Sequence, residues 1–340
     1  MSAKARRGIA VFGTTLEAMS AAGEAVDAAG FDSVWTSELY NRSATVTLAA
    51  IAPRTSRAAI GSGIIYGVGR SPLMLAAEAR DLDELSGGRF ILGVGNGTRR
   101  MISDWHGLDG DAPAVRMEEL VPLVRAVWNL AEAPIDHDGR FYRLKLRALD
   151  ESAGAPERAI PIYTAGVGPR MIETAGRVAD GLLAHTMCVP RYLDDVARPA
   201  VERGIVHAER DPGAVTIATF ALACAAPDAE VARREAAAMI AFYGTVKSYA
   251  VVFEHCGFGA EAKAIQEAFA KRDLAAMVGA VSEPMVDEFA AAGTPEEVDA
   301  SLRRYDGVVD EVVLSVPSFQ VTDERVAENL ALLTERCAPA

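Results

Sequence analysis

Residues 165 to 170 read Ala165-Gly166-Val167-Gly168-Pro169-Arg170, a pattern that can hold an anion. Glycines let a backbone approach a phosphate closely, and a helix starting at Pro169 would aim its free N–H groups and dipole at the same point. Arg170 would add charge. From these six residues alone, an ordinary strand-to-helix turn with proline at the first helical position reads equally well. A second glycine turn, Gly93-Val94-Gly95-Asn96-Gly97-Thr98, has its third glycine one residue too close for G-x-G-x-x-G. Thr98 sits where that glycine belongs, which tells against a nicotinamide site.

Acid/base chemistry has few candidates: Glu38, Tyr40, His106 and His185. Glu38 and His185 each follow a strand-like run, and strand ends carry the chemistry in parallel barrels. For His106 a structural role is the simpler reading, and for His185 it reads as well as a catalytic one. Trp35 and Phe12 alternate with small or polar neighbours and read as core. His137, His207 and His255 have no ligand partners at a useful spacing, so no metal site is expected.

The elements that must position these residues alternate almost from end to end. Strand-like runs fall at Gly8–Phe12, Phe31–Thr36, Ala58–Ile65, Arg89–Val94, Ile160–Thr164, Gly181–His185, Val215–Ala223 and Val308–Val316. Between them lie Ala-rich, helix-periodic stretches with legible ends. Gly30 closes Leu16–Ala29, and Ser71-Pro72 opens Ser71–Leu85. Arg89–Val94 is followed by a loop and the helix Val115–Leu130. Repeated strand–helix units imply parallel strands, and eight of them close into a (β/α)₈ TIM barrel, expected as one domain over residues 1–340. Two stretches interrupt the rhythm: a β-hairpin at His137–Leu146 within an insertion of about 133–158, and a mostly helical insertion at 249–290.

A net charge of −13 tells against nucleic acid and anionic membrane as partners, since both need a basic face. Cys188, Cys224, Cys256 and Cys337 form no CxxC pair, and no window approaches the ~18 apolar residues of a membrane span. A soluble cytoplasmic protein is expected, acting on a small molecule and assembling as a homodimer.

Several runs together resemble the bacterial-luciferase-like flavin and deazaflavin oxidoreductases over about residues 8 to 335. They are Gly30-Phe-Asp-Ser-Val-Trp-Thr-Ser-Glu38, Ile60-Gly-Ser-Gly-Ile-Ile65, Asp83-Glu-Leu-Ser-Gly-Gly-Arg-Phe-Ile-Leu-Gly-Val-Gly95, Gly139-Arg-Phe-Tyr142 and Gly293-Thr-Pro-Glu-Glu-Val298. Tyr40-Asn-Arg42 and Gly168-Pro-Arg-Met-Ile-Glu-Thr-Ala-Gly176 resemble the coenzyme F420 branch, typified by methylenetetrahydromethanopterin reductase. The resemblance implies a luciferase-type barrel and hydride transfer between F420 and a small organic substrate. The alternatives are an FMN-dependent monooxygenase and a non-catalytic flavin carrier. It also implies a non-prolyl cis peptide at Gly63–Ile64 behind the cofactor ring, a phosphate at Ala165–Arg170, and a cofactor edge at Asn96, Gly97 and Thr98. The family's Asp-His pair at the second strand end reads Glu38-Leu39 here. The glutamate that follows the fourth-strand glycines in the sugar-phosphate branch is replaced by Thr98. Glu38 and His185 therefore stand as the expected catalytic pair.

Overall fold

The computed structural model describes residues 3–149 and 155–339; residues 150–154, inside the first expected insertion, and the extreme termini lie outside it. Eight parallel strands form a closed ring in chain order: β1 (Arg6–Ala10), β2 (Ser33–Thr36), β3 (Ala59–Ser62), β4 (Phe90–Gly95), β5 (Ile162–Gly166), β6 (Gly181–Ala184), β7 (Thr216–Ala225) and β8 (Glu311–Ser315). Each pairs with its neighbours, and β8 returns to β1 through Arg6↔Glu311 to Ile9↔Leu314. This is the expected (β/α)₈ barrel.

Strand alternation sorts the side chains into two layers. Ile9, Val34, Ile60, Leu92, Ile162 and Leu182 point outward into the helix-covered core. Ala10, Trp35, Ile91, Tyr163, Leu183, Ala218, Phe220 and Val313 point inward and fill the barrel. Large and small inward residues are matched across strands. A Cβ on Gly61 would lie 2.4 Å from the Trp35 ring, and one on Gly181 2.5 Å from the Tyr163 ring. At the N-terminal end the buried Glu311 carboxylate accepts hydrogen bonds from the Ser33 hydroxyl and from Trp35 Nε1 at 3.1 Å, and pairs with Arg6 at 3.4 Å.

Helix ends follow local chemistry. Thr15 caps Leu16–Ala29 and Gly30 ends it at φ 98°, the left-handed conformation glycine adopts cheaply. Ser71 Oγ accepts from Met74 N at 3.2 Å ahead of Pro72–Leu85. The hairpin pairs Ile135–Asp138 with Arg143–Leu146. Its turn is tied to the helix Pro113–Trp128 because Glu119 accepts from the backbone N–H groups of Phe141 and Tyr142 at 3.0 and 2.8 Å.

Three elements differ from expectation. The first strand starts at Arg6, not Gly8, because Arg7 is a buried strand residue whose guanidinium is neutralised by Asp299; its charge hides it from a hydrophobic reading. Residues 99–106, expected as loop, form a helix capped by Thr98 and closed by Gly107 at φ 64°. The helical insertion, with helices at Ala250–His255, Gly259–Ala270, Leu274–Gly279 and Glu283–Phe289, ends in a short strand, Ala290–Gly293, parallel to the outer half of β7. That strand, three alanines and a glycine, carries no β-branched signal. No single helix among the described residues is long and apolar enough to cross a membrane.

Candidate active site at the barrel mouth

Alternation brings Phe12, Ser37, Ala165, His185 and Ser315, each one step beyond the inward cluster, and Gly95, two steps beyond Ile91, to the C-terminal mouth. Four of these six are Gly, Ala or Ser, which leaves space above the barrel core.

The wall between β2 and β4 is built by an irregularity in the third strand. Gly61 pairs with Ile91, but Ile65 pairs with Val94, so the β3 side carries one extra residue. This is a β-bulge, a device that re-aims a chain beside a site. Ser62 replaces the missing ladder bonds: its Oγ accepts from Gly93 N and donates to Gly93 O, both at 2.9 Å. The Gly63–Ile64 peptide within the bulge is cis, as expected. A Cβ on Gly63 would lie 2.4 Å from Phe220, and one on Gly95 would lie 2.6 Å from Ile64 Cδ1 and 3.1 Å from Ala165 Cβ. Gly63, Ile64, Gly95 and Ala165 therefore meet as one surface.

Glu38 holds that surface from the side. Its backbone N–H donates to Ile64 O at 3.1 Å, and its Oε1 accepts from Tyr66 N at 3.3 Å. Both carboxylate oxygens receive Arg70 N–H groups at 2.7 Å, and Arg70 Nε reaches Glu78 at 2.8 Å. The Glu38 side chain is 10% exposed. Its oxygens are occupied by donors fixed in the protein, an arrangement suited to anchoring the bulge. Tyr40, by contrast, is 81% exposed and meets Trp105 edge-on at 5.8 Å.

The loop after β5 runs directly into the helix Pro169–Val178, with no side-chain cap at Gly168. Val167 and Gly168 N–H have no partner among the described residues, which leaves donors at the helix start. The two glycines do different work. A Cβ on Gly166 would press on Ile172 N at 2.9 Å, whereas one on Gly168 meets nothing within 4 Å. Arg170 is half exposed and paired with Glu118 at 2.8 Å. On the other glycine turn, Gly97 adopts φ 72° and Thr98 Oγ1 accepts from Met101 N at 3.2 Å as a helix cap. Asn96 donates to Pro113 O at 3.0 Å, while its Oδ1 is buried with no partner among the described residues.

His185, across the mouth from Glu38, lies among rings. It stacks on Tyr249 at 4.2 Å and 19°, and meets Tyr243 edge-on at 4.7 Å. Burial holds its pKa down at about 3. His106 packs against Tyr66 at 5.7 Å, in keeping with a structural role.

Sequence reading missed Arg70, Tyr243 and Tyr249. Arg70 stands 32 residues from Glu38, and the two tyrosines come from a helix and an insertion, so no local spacing reports them. A basic residue just before the Ser71-Pro72 cap was the one available hint, since it had to lie at the helix start.

The luciferase-like monooxygenase family profile matches residues 3–311. A 5,10-methylenetetrahydromethanopterin reductase of Methanolobus tindarius is 32% identical over 276 residues, covering 80% of this chain and 82% of its own. The coenzyme F420 dependent tetrahydromethanopterin reductase of Methanopyrus kandleri superposes with TM-score 0.80 at 25% identity, covering 99% and 98% of the two chains. The oxygenating component of 3,6-diketocamphane monooxygenase from Pseudomonas putida, solved with FMN, shares the fold at TM-score 0.66 and 18% identity, covering 100% and 99%. The chain belongs to the luciferase-like monooxygenase family, whose members are oxidoreductases.

Proposed function

We propose that this protein transfers hydride between coenzyme F420 and a small organic substrate. The observation that carries the reading is the small-residue surface of Gly63, Ile64, Gly95 and Ala165, next to a helix start whose N–H groups are open. A planar ring fits against the first, and a phosphate fits the second. Support for F420 over FMN comes from the relatives: the reductases above are the nearer matches in sequence and in structure.

In this reading Gly63, Ile64, Gly95 and Ala165 back the ring. Val167, Gly168, Pro169 and Arg170 form the phosphate cradle, with Gly166 packing the strand onto the helix. Asn96, Gly97 and Thr98 border it, and a polar ligand atom reaching Asn96 Oδ1 would relieve an unpaired acceptor that costs about 1–3 kcal/mol. When bound, a deazaflavin supplies a carbon that gives or accepts hydride. The protein's part is placement and exclusion of water. Glu38 serves as a positioning residue, because its contacts run to the bulge and to Arg70.

Titration of purified protein with F420 and FMN tests this. Tighter F420 binding is expected, and equal or tighter FMN binding overturns the cofactor assignment in favour of an FMN-dependent monooxygenase. Gly168→Val provides the second arm. Its side chain enters open space, so folding is retained while cofactor affinity falls at least 10-fold. Unchanged affinity would place the phosphate elsewhere.

A further inference from the structure

His185 enters the mouth from the end of β6, one alternation step above Leu183 of the barrel interior. Its Nδ1 accepts the backbone N–H of Met187 at 3.2 Å. A backbone N–H only donates, so Nδ1 carries no proton and the neutral ring holds its hydrogen on Nε2. Nε2 has no hydrogen-bond partner among the described residues, and the residue is partly exposed. The ring cannot swing freely, because Tyr249 stacks on its face and Tyr243 closes from the edge.

We propose that His185 is a fixed, uncharged hydrogen-bond donor to a substrate oxygen, and that the substrate class is therefore a carbonyl or conjugated carbonyl compound. This rests on the hydride-transfer reading above and narrows it. As hydride from the reduced deazaflavin adds to the electrophilic carbon, the π electrons move onto oxygen as an alkoxide or enolate. The cofactor is oxidised by two electrons, and water supplies the proton that completes the product. A donor aimed at that oxygen stabilises charge where it develops. An iminium acceptor, which loses positive charge on reduction, gains nothing from it.

The surroundings keep the ring uncharged. The titratable groups beside it are Tyr243, Tyr249 and the thiol of Cys188. Burial raises all three, Tyr243 and Cys188 to about 12, so each is neutral at physiological pH. Among the described residues no carboxylate stabilises an imidazolium, and burial sets the histidine's low pKa. With Nδ1 occupied by Met187 N–H and the ring uncharged, Nε2–H is what the histidine presents to the mouth, a hydrogen-bond donor.

Two measurements test the proposal without turnover. In protein labelled with ¹⁵N-histidine and assigned with His185→Phe, the ring should show the Nε2–H tautomer unchanged from pH 5 to 8. A Nδ1–H signature, or a titration midpoint near 6.5, overturns it. The oxyanion probe 4-nitrophenolate, followed by absorbance at pH 8, should bind wild type and bind His185→Phe at least 10-fold more weakly. His185→Gln, which keeps an N–H donor, should recover part of the difference. Absent binding to wild type, or equal binding to His185→Phe, overturns the proposal. F420 affinity should be unchanged in His185→Phe. Failure of F420 to bind wild type would count against the cofactor reading alone, because the tautomer and phenolate measurements need no cofactor.

Discussion

The two sides of the barrel mouth are held by opposite kinds of force. On the β2–β3 side, Glu38, Arg70 and Glu78 form a half-buried ionic network that grips the bulge at Ile64–Tyr66. On the β6 side, His185, Tyr243 and Tyr249 pack ring on ring with no charged group in contact among the described residues. Charge-assisted bonds are directional and fix a backbone in one place. Stacked rings hold position with less precision but exclude water and keep a polar tip uncharged. In the function proposed above, the ionic side would hold a shape against the cofactor, and the aromatic side would meet a neutral or developing-anionic substrate.

The largest effect should come from removing the centre of the ionic side. Arg70→Leu leaves the Glu38 and Glu78 carboxylates facing each other with their shared cation gone, and leaves Tyr66 N bonded to an uncompensated acid. Breaking a buried pair from one side costs about 3–5 kcal/mol, and partial exposure here reduces that to about 2–3. Denaturant unfolding should show a loss of that size, with F420 affinity falling as the bulge loosens. A loss under 0.5 kcal/mol would mean that the ionic network does not hold the bulge in place. Glu38→Gln is the milder probe. It keeps an acceptor for Tyr66 N, so about 1–2 kcal/mol of stability should go while the pH dependence of turnover keeps its wild-type shape. A lost pH limb would return Glu38 to the role of proton acceptor.

How much of this the sequence showed follows from the range of each interaction. The eight strands, the caps at Ser71 and Gly30, the hairpin and the glycine loop after β5 are governed by residues within a few positions of one another, and each was legible. The cis peptide at Gly63–Ile64 was legible only through family resemblance, since nothing in Ser62-Gly63-Ile64 by itself demands it. Glu38 and His185 were visible as strand-end residues, but their surroundings were not. Arg70 meets the first and Tyr249 the second, and both arrive by tertiary packing across 32 and 64 residues. Thr98, read as a cofactor neighbour, also caps a helix that charged residues Arg99, Arg100 and Asp104 had disguised as loop.

The aromatic side should reveal itself through acid. His185 has a folded pKa of about 3, against about 6.5 when unfolded. Between those values the unfolded chain binds a proton that the folded chain does not, so stability falls as pH drops through that window. The slope from this group approaches 1.4 kcal/mol per pH unit, or about 1–2 kcal/mol between pH 7 and 5 after allowing for partial exposure. His185→Phe has no proton to bind, so its stability should lie above wild type by that amount at pH 5 relative to pH 7. Parallel pH profiles for the two proteins would show that the ring is freely hydrated.

The gentlest change on the aromatic side separates stacking from mere apolar bulk. Tyr249→Leu keeps a hydrophobic side chain against His185 but removes the ring that lies 4.2 Å above it. Aromatic pairs are worth about 0.5–1.5 kcal/mol beyond the area they bury, and leucine restores most of that area. Thermal unfolding should therefore register a loss of under about 1 kcal/mol, less than either change on the ionic side. The histidine should respond more than the fold does. With one face opened to water, the imidazolium is better solvated, and the His185 midpoint should move up from about 3 toward 6.5. Histidine NMR across pH 4 to 8 reads that shift directly. A midpoint that stays below 4 would mean that Tyr243 and the end of β6 alone keep the ring dry, and the stacked tyrosine would then be a wall for substrate and not a guardian of the histidine's neutral state.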